Sequence, residues 1–265
     1  VSGAVLAIDQ GTSGTKAVIA DSDDQILAVA EVALRPDYRS GGVVEQDPRD
    51  LLRSVKDACA AALAQAGNPA IAAIALANQG ESVLAWHPTT GEPLSPIVVW
   101  QDGRAEEVCR ALALERAGVG QAVADLTGLV LDPYFSAPKL AWIRRRLTRD
   151  GVVSTSDAWL IHQLCGRSVT DAATASRSLL TELGESSYHP LLVEWFGLTG
   201  EQLPEIVAND AVIGETDLFG LLPRRVPLAG AIVDQQAALL AEGCIEPGAA
   251  KCTFGTGAFL LANLG

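Results

Sequence analysis

Residues 4–20 read Ala4-Val5-Leu6-Ala7-Ile8-Asp9-Gln10-Gly11-Thr12-Ser13-Gly14-Thr15-Lys16-Ala17-Val18-Ile19-Ala20: two runs of small apolar residues joined by a polar turn containing two glycines. Ala4–Ile8 is a continuous apolar run suited to a buried strand, and Lys16–Ala20 is a second. A third strand follows at Ile26–Ala30 after the polar turn Asp21-Ser22-Asp23-Asp24-Gln25, so the chain opens as a β-meander. The turn between the first two strands can bring backbone N–H groups, hydroxyls and a cation to polyphosphate oxygens, through Gly11, Thr12, Ser13, Thr15 and Lys16. Asp9 would repel such phosphates unless a divalent cation lay between them, which suggests Mg²⁺. The turn lacks the Gly-Lys-Ser/Thr of a P-loop and the spacing of a dinucleotide fingerprint. Taken alone, it is equally an ordinary hairpin connection.

Outward from this meander, strands and helices alternate. Asp47-Pro48 supplies an N-cap and a proline at the first turn. Leu51, Leu52, Val55, Cys59, Ala62, Leu63 and Ala66 then recur at helical spacing until Gly67. Ile71–Ala77 and Pro96–Trp100 read as strands and Ala105–Leu114 as a helix. Residues from about 118 to 199 are richer in helical patterns. Val226–Val233 reads as a strand entering a helix at Asp234–Glu242. The class is therefore α/β, with a mixed sheet flanked by helices.

Length and composition bound the reading further. A chain of 265 residues exceeds what one core fills comfortably, so one large domain or one and a half domains is expected. Apolar residues make up 49% but are interrupted every few positions, leaving no bilayer-crossing run. The five cysteines lie at Cys59, Cys109, Cys165, Cys244 and Cys252 without a Cys-x-x-Cys pair, and no secretion signal opens the chain, so a reducing cytoplasmic setting is expected. The net charge of −13 opposes nucleic acid and anionic membranes as partners. The basic cluster Arg144-Arg145-Arg146 reads as the solvated C-terminal end of a helix. His87, His162 and His189 lack partners at metal-ligand spacing and read as surface or capping residues.

A second glycine-rich turn changes the reading of the first. Lys251-Cys252-Thr253-Phe254-Gly255-Thr256-Gly257 places Gly255, Thr256 and Gly257 between two apolar strands, the second running Phe259–Asn263. Two such turns can clamp one nucleotide. Asp234 lies between them at a strand-to-helix junction, where a carboxylate either caps the helix or points into a cleft.

The segments Ala7–Thr12, Val99-Trp100-Gln101, Gly128–Ser136, Asp157–Leu160, Asp234–Leu239 and Phe254–Gly257 resemble the FGGY carbohydrate kinases, with the glycerol kinases nearest among them. The resemblance implies a ribonuclease-H-like fold of the actin, Hsp70 and sugar-kinase superfamily. Residues 1–243 would form the N-terminal substrate-binding domain, and 244–265 the start of a truncated nucleotide-binding domain. It implies ATP and Mg²⁺ as cofactors and a small polyol or sugar as substrate. Dimers or tetramers are common in the family, so a homo-oligomer is compatible with it.

The resemblance also carries roles for individual residues. Asp234 matches the base that deprotonates the substrate hydroxyl, and it joins Asp9 near the metal. Gly11, Thr12, Ser13, Lys16, Gly255, Thr256 and Gly257 match the phosphate-binding turns. Glu81, Tyr134, Asp234 and Gln235 match residues that hold polyol hydroxyls, while Trp100 and Phe259 match apolar walls. Glycerol kinases carry an arginine beside the glutamate where this chain has Gly80. The expectation is a pocket with vacated volume that suits a tetritol or ketopentose better than glycerol, with Arg104 able to compensate. Two other readings stand beside the kinase: an incomplete sugar- or nucleotide-binding module, and an actin- or Hsp70-like ATPase that hydrolyses ATP without a sugar.

Overall fold

The computed structural model describes residues 3–255 and 257–265. Its central sheet begins with β1 (Ala4–Gln10), β2 (Gly14–Ala20) and β3 (Ile26–Ala33), successive antiparallel neighbours. The small strands β4 (Asp37–Arg39) and β5 (Val43–Gln46) lead into helix α1 (Pro48–Gln65), and β6 (Ile71–Asn78) returns parallel to β1. Next come β7 (Val83–Trp86), β8 (Ile97–Val98), α2 (Glu106–Glu115), α3 (Val119–Thr127), α4 (Ser136–Arg146), β9 (Val152–Thr155) and α5 (Ser156–Cys165). The chain continues through β10 (Val169–Asp171), α6 (Ala172–Ser176), α7 (Pro190–Trp195), β11 (Glu205–Val207) and β12 (Val212–Thr216). It then enters β13 (Val226–Val233), α8 (Asp234–Ala241) and the hairpin β14 (Ala250–Phe254) with β15 (Ala258–Ala262).

The main sheet has six strands in the order β12-β13-β6-β1-β2-β3, mixed in direction, because β6 is parallel to both β1 and β13 while the outer pairs are antiparallel. The parallel strands β1, β6 and β13 end side by side, which brings Gln10, Asn78 and Val233 to one edge of the sheet. Functional residues on the following turns therefore converge. A second, five-stranded sheet, β4-β5-β8-β7-β9, packs with α2, α3 and α4 around its own apolar cluster that includes Val83, Leu140 and Val153.

Helix α1 forms where the sequence places it. Asp47 accepts from Arg49 N at 2.8 Å, and Gly67 leaves the helix at φ +73°, a conformation cheap for glycine alone. Leu51, Val55, Ala58, Cys59 and Ala62 are fully buried against Leu6, Ile8, Ala17 and Ile19. Each such large aliphatic side chain contributes about 1.5–3 kcal/mol. β1 differs from the continuous buried strand expected: burial alternates along it, and Val5 is 41% exposed. α1 covers only one face of the meander, so the apolar run is buried on every second residue.

Other local expectations shift. The Pro96–Trp100 strand shrinks to Ile97–Val98, since the Trp100 N–H goes to Ser82 Oγ at 3.1 Å instead of to a ladder. Arg144 is no solvated helix end. It makes two 2.7 Å contacts with Glu201 and donates to the carbonyls of Asp150 and Gly151, so it clamps the turn after α4. His87 accepts from Thr89 N and Thr90 N as a turn cap, and His162 packs on Trp86 with ring centroids 4.6 Å apart. Among the described residues no helix is long and apolar enough to cross a membrane.

Candidate active site

The ends of β1, β6 and β13 open into a cavity of about 560 Å³ that the β14–β15 hairpin borders on its far side. The first turn contributes Asp9, Gly11, Thr12 and Ser13 to its lining. Gly80, Glu81, Trp100 and Tyr134 form one wall, Asp234 and Gln235 the strand-to-helix corner, and Gly255, Gly257 and Phe259 the hairpin side. The structure thus gathers residues that the sequence spreads over some 250 positions. Lys16 is not among the lining residues. It pairs across the ladder with Asp9 in register, and its charge reaches the cavity through that carboxylate. Thr256 lies outside the described residues.

A buried amide network fixes the floor. Gln46 Nε2 donates to Thr12 O at 2.6 Å, Gln79 Nε2 donates to Gln46 Oε1 at 3.0 Å, and Ser82 Oγ donates to Gln79 Oε1 at 3.1 Å. Trp100 Nε1 closes the circuit by donating to Thr12 Oγ1 at 2.8 Å. The glycine turn and the aromatic wall are therefore one hydrogen-bonded unit, and neither moves without breaking buried bonds. Thr12 Oγ1 is the acceptor in that link.

Glu81 is held in a strained backbone. Its φ is +61°, and the Ser82 N–H bonds Gly80 O at 2.8 Å, closing a three-residue γ-turn with Glu81 at its centre. A non-glycine residue in this region costs of order 1 kcal/mol or more, a pattern concentrated at binding sites. The loop presenting Tyr134 is pinned from beneath. Asp132 Oδ1 accepts from Tyr134 N at 2.8 Å, and fully buried Lys139 donates to the carbonyls of Pro133, Tyr134 and Phe135. Tyr134 and Phe259 both meet Trp100 edge-on, with centroids 5.6 and 5.8 Å apart. A side chain at Gly257 would come within 2.8 Å of the Phe259 ring, so glycine there lets the ring turn towards Trp100.

The electrostatics single out Asp234. Burial pushes its carboxyl up to about 7, and the charges of Asp9 and Glu81 push in the same direction. The Gln235 N–H, 2.7 Å from Oδ1, and the Lys251 ammonium oppose this rise. Burial also raises Asp9, with Lys16 acting against it and Glu31 with it. Two carboxylates in one partly buried cleft, facing glycine turns, form a hard oxygen donor set that suits a divalent cation. Among the described residues no three His, Cys, Asp or Glu side chains gather as a metal cage. That combination fits Mg²⁺, which is usually held by one or two carboxylates while water and phosphate oxygens complete its shell.

Two residues escaped the motif reading. Lys251 Nζ donates to Gln235 Oε1 and to Thr253 Oγ1, both at 2.8 Å, and so ties α8 to the hairpin. Arg177, just beyond α6, lines the cavity and donates from Nε to Glu81 Oε1 at 2.8 Å. No local pattern marks Arg177: no acidic residue stands three or four positions to either side, and its partner Glu81 is distant in sequence. Arg104 does not take that part. It is held by Asp102 and Glu45, stacks 4.2 Å from the Trp142 centroid, and is absent from the cavity lining. At Gly80 a Cβ would meet Val233 Cγ2 at 2.8 Å. Gly80 lines the cavity, and a side chain there would require Val233 to shift.

The sheet order and the cleft at its carboxyl edge define an actin-like, ribonuclease-H-like domain of the sugar-kinase type. Residues 4–241 match the N-terminal domain of the FGGY family of carbohydrate kinases, and the chain belongs to that family. It is 40% identical to a glycerol kinase of Alkalilimnicola ehrlichii, over 99% of this chain and 55% of that protein. A Thermus brockianus glycerol kinase is 41% identical, over 98% and 54% respectively. The crystal structure of a Plasmodium falciparum glycerol kinase with ADP superposes with a TM-score of 0.89 at 28% identity, covering 97% of this chain and 53% of that one. The chain thus spans about half the length of the curated relatives it matches.

Proposed function

We propose that this chain carries the acceptor site and the catalytic carboxylate of an ATP-dependent kinase that phosphorylates a hydroxyl of a small polyol or sugar. The observation that carries the reading is the meeting of Asp9, Asp234 and two glycine turns in the same cavity as Glu81, Tyr134, Gln235 and an aromatic wall. Phosphate-type turns alone would suit many nucleotide hydrolases. Polar residues opposite aromatic rings suit a polyol, whose hydroxyls need both donors and acceptors while its carbon chain needs an apolar surface.

In this reading Asp234, whose carboxyl burial pushes up to about 7 in the cation-free cleft, takes the proton from the acceptor hydroxyl. The acceptor oxygen forms its bond to the γ-phosphorus as the bond to the ADP oxygen breaks, with positioning and charge neutralisation supplying most of the rate. Gly11, Thr12, Ser13, Lys16, Gly255 and Gly257 bind or brace the phosphates, and Asp9 with Asp234 would hold Mg²⁺. When bound, Mg²⁺ neutralises charge on the phosphate oxygens. Trp100 and Phe259 exclude water from the acceptor. Residues 244–265 belong in this scheme to the start of the nucleotide-binding domain.

A second reading is a polyol-binding module without turnover, since Glu81, Tyr134, Gln235 and the aromatic wall can hold a polyol by themselves. ADP release measured with and without a panel of polyols and ketopentoses separates these readings. Acceptor-dependent release supports the kinase, binding without release supports the module, and release that ignores the acceptor contradicts both.

A further inference from the structure

Arg177 follows the short helix α6, whose start is fixed by Asp171. That carboxylate accepts from Thr174 N at 2.8 Å and from Asn209 Nδ2 at 2.8 Å. The arginine side chain is 26% exposed and the Glu81 side chain it bonds is 6% exposed. Its guanidinium lies 5.0 Å from the Phe135 ring centroid and 5.7 Å from that of Tyr134, so the plane is braced on two aromatics. A Cβ at residue 80 would meet Val233 Cγ2 at 2.8 Å. The arginine–glutamate pair is therefore assembled here across 96 residues, and not from neighbours in sequence.

We propose that Arg177 is a substrate-binding, specificity-determining residue of the acceptor pocket, gripping with Glu81 two adjacent hydroxyls of the polyol or sugar. This rests on the acceptor reading given above. A guanidinium offers five N–H donors and a carboxylate only acceptors, so the pair complements a vicinal diol, in which each hydroxyl both donates and accepts. The rigid fork also discriminates, because a compound lacking one of the two hydroxyls leaves a half-buried donor unpaired. On this account the loss of arginine at position 80 does not remove the guanidinium from the pocket. It moves its source to the residue just beyond α6 and leaves short vicinal diols, glycerol included, as acceptors.

The test uses a protein carrying this chain at the full length of its relatives, with Arg177→Met and Arg177→Lys beside the parent. Each is assayed on the best polyol and on its analogue lacking one hydroxyl of the diol remote from the phosphorylated end. Arg177→Met should raise the acceptor KM roughly tenfold or more, as expected for losing a charged hydrogen bond. The KM for ATP should stay within about twofold, and Arg177→Lys should recover little, because an ammonium lacks the fork. The discriminating readout is coupling: the penalty for the missing hydroxyl should largely vanish in Arg177→Met. An unchanged acceptor KM, or an equal penalty in parent and variant, would overturn the inference and leave Arg177 as a brace for Glu81. Calorimetric titration of the same acceptors without ATP repeats the comparison independently of turnover. Absence of turnover in the parent would count against the kinase reading, while an unaltered binding pattern in the variants would count against Arg177 alone.

Discussion

Replacing Asp234 by asparagine should make the protein more stable while removing its activity, and the gain should depend on pH. The folded-state carboxyl titrates near 7, against an ordinary aspartate value of 3.8, chiefly because it is buried. Folding therefore takes up a proton between about pH 4 and pH 7. For this raised carboxylate, stability is fullest at and below the unfolded value, declines as pH rises, and is lowest above 7. A difference of about 3 units at 1.36 kcal/mol each sets a ceiling of about 4 kcal/mol, and solvent screening in an open cleft reduces it to roughly 2 kcal/mol. The substituted asparagine would keep an oxygen for the Gln235 N–H, which lies 2.7 Å from the Asp234 carboxylate, so no bond need be lost. At about 2–4 °C per kcal/mol for a protein of this size, the variant should melt roughly 4–8 °C above the parent at pH 8. At pH 4.5 the two should melt nearly together. Thermal melts in EDTA, without nucleotide, isolate the carboxylate from any bound cation. Equal melting temperatures at pH 8, or a difference that does not change with pH, would refute the claim that burial strains this carboxylate.

Lys139→Met should destabilise by about 3 kcal/mol or more in urea denaturation, since it leaves the carbonyls of Pro133, Tyr134 and Phe135 without their buried donor. The same variant should weaken acceptor binding through Tyr134. Trp100→Phe keeps the ring but loses the 2.8 Å bond to Thr12 Oγ1, so a loss of about 1 kcal/mol and a rise in the KM for ATP should appear together. Gly257→Ala places a methyl group 2.8 Å from the Phe259 ring, and overpacking of about 1–3 kcal/mol should displace that ring and raise the acceptor KM in steady-state assays.

Much of the fold was legible in local chemistry. The meander, the Asp47-capped helix and the strand ending at Val233 each carry period, cap or turn signals within a few residues, and the structure forms them at nearly those bounds. The alternating burial of β1 was not legible, because small residues fit a strand buried on one face or on both, and only the position of α1 decides. The site divides in the same way. Glycine turns and the carboxylates Asp9 and Asp234 sit at strand ends, where spacing reveals them. Arg177 and Val233 act through space: one reaches Glu81 from the end of a short helix that carries no motif, and the other stands 2.8 Å from where a Cβ at Gly80 would lie. The surroundings of Gly80 depend on a residue more than 150 positions away, which no local pattern shows. Arg104 misled for a related reason, since its neighbours Asp102 and Glu45 claim its guanidinium before any substrate can.

The central claim is that Asp234 is the base for phosphoryl transfer to a polyol or sugar hydroxyl in this cleft. Its most direct test is transfer of labelled γ-phosphate from ATP to glycerol, tetritols and ketopentoses, by a protein carrying this chain at the full length of its relatives and by its Asp234→Asn variant. The account predicts a labelled phosphate monoester from the parent and a yield lower by about 10²–10⁴-fold from the variant. Inorganic phosphate formed regardless of acceptor, or equal ester formation by both proteins, would contradict it.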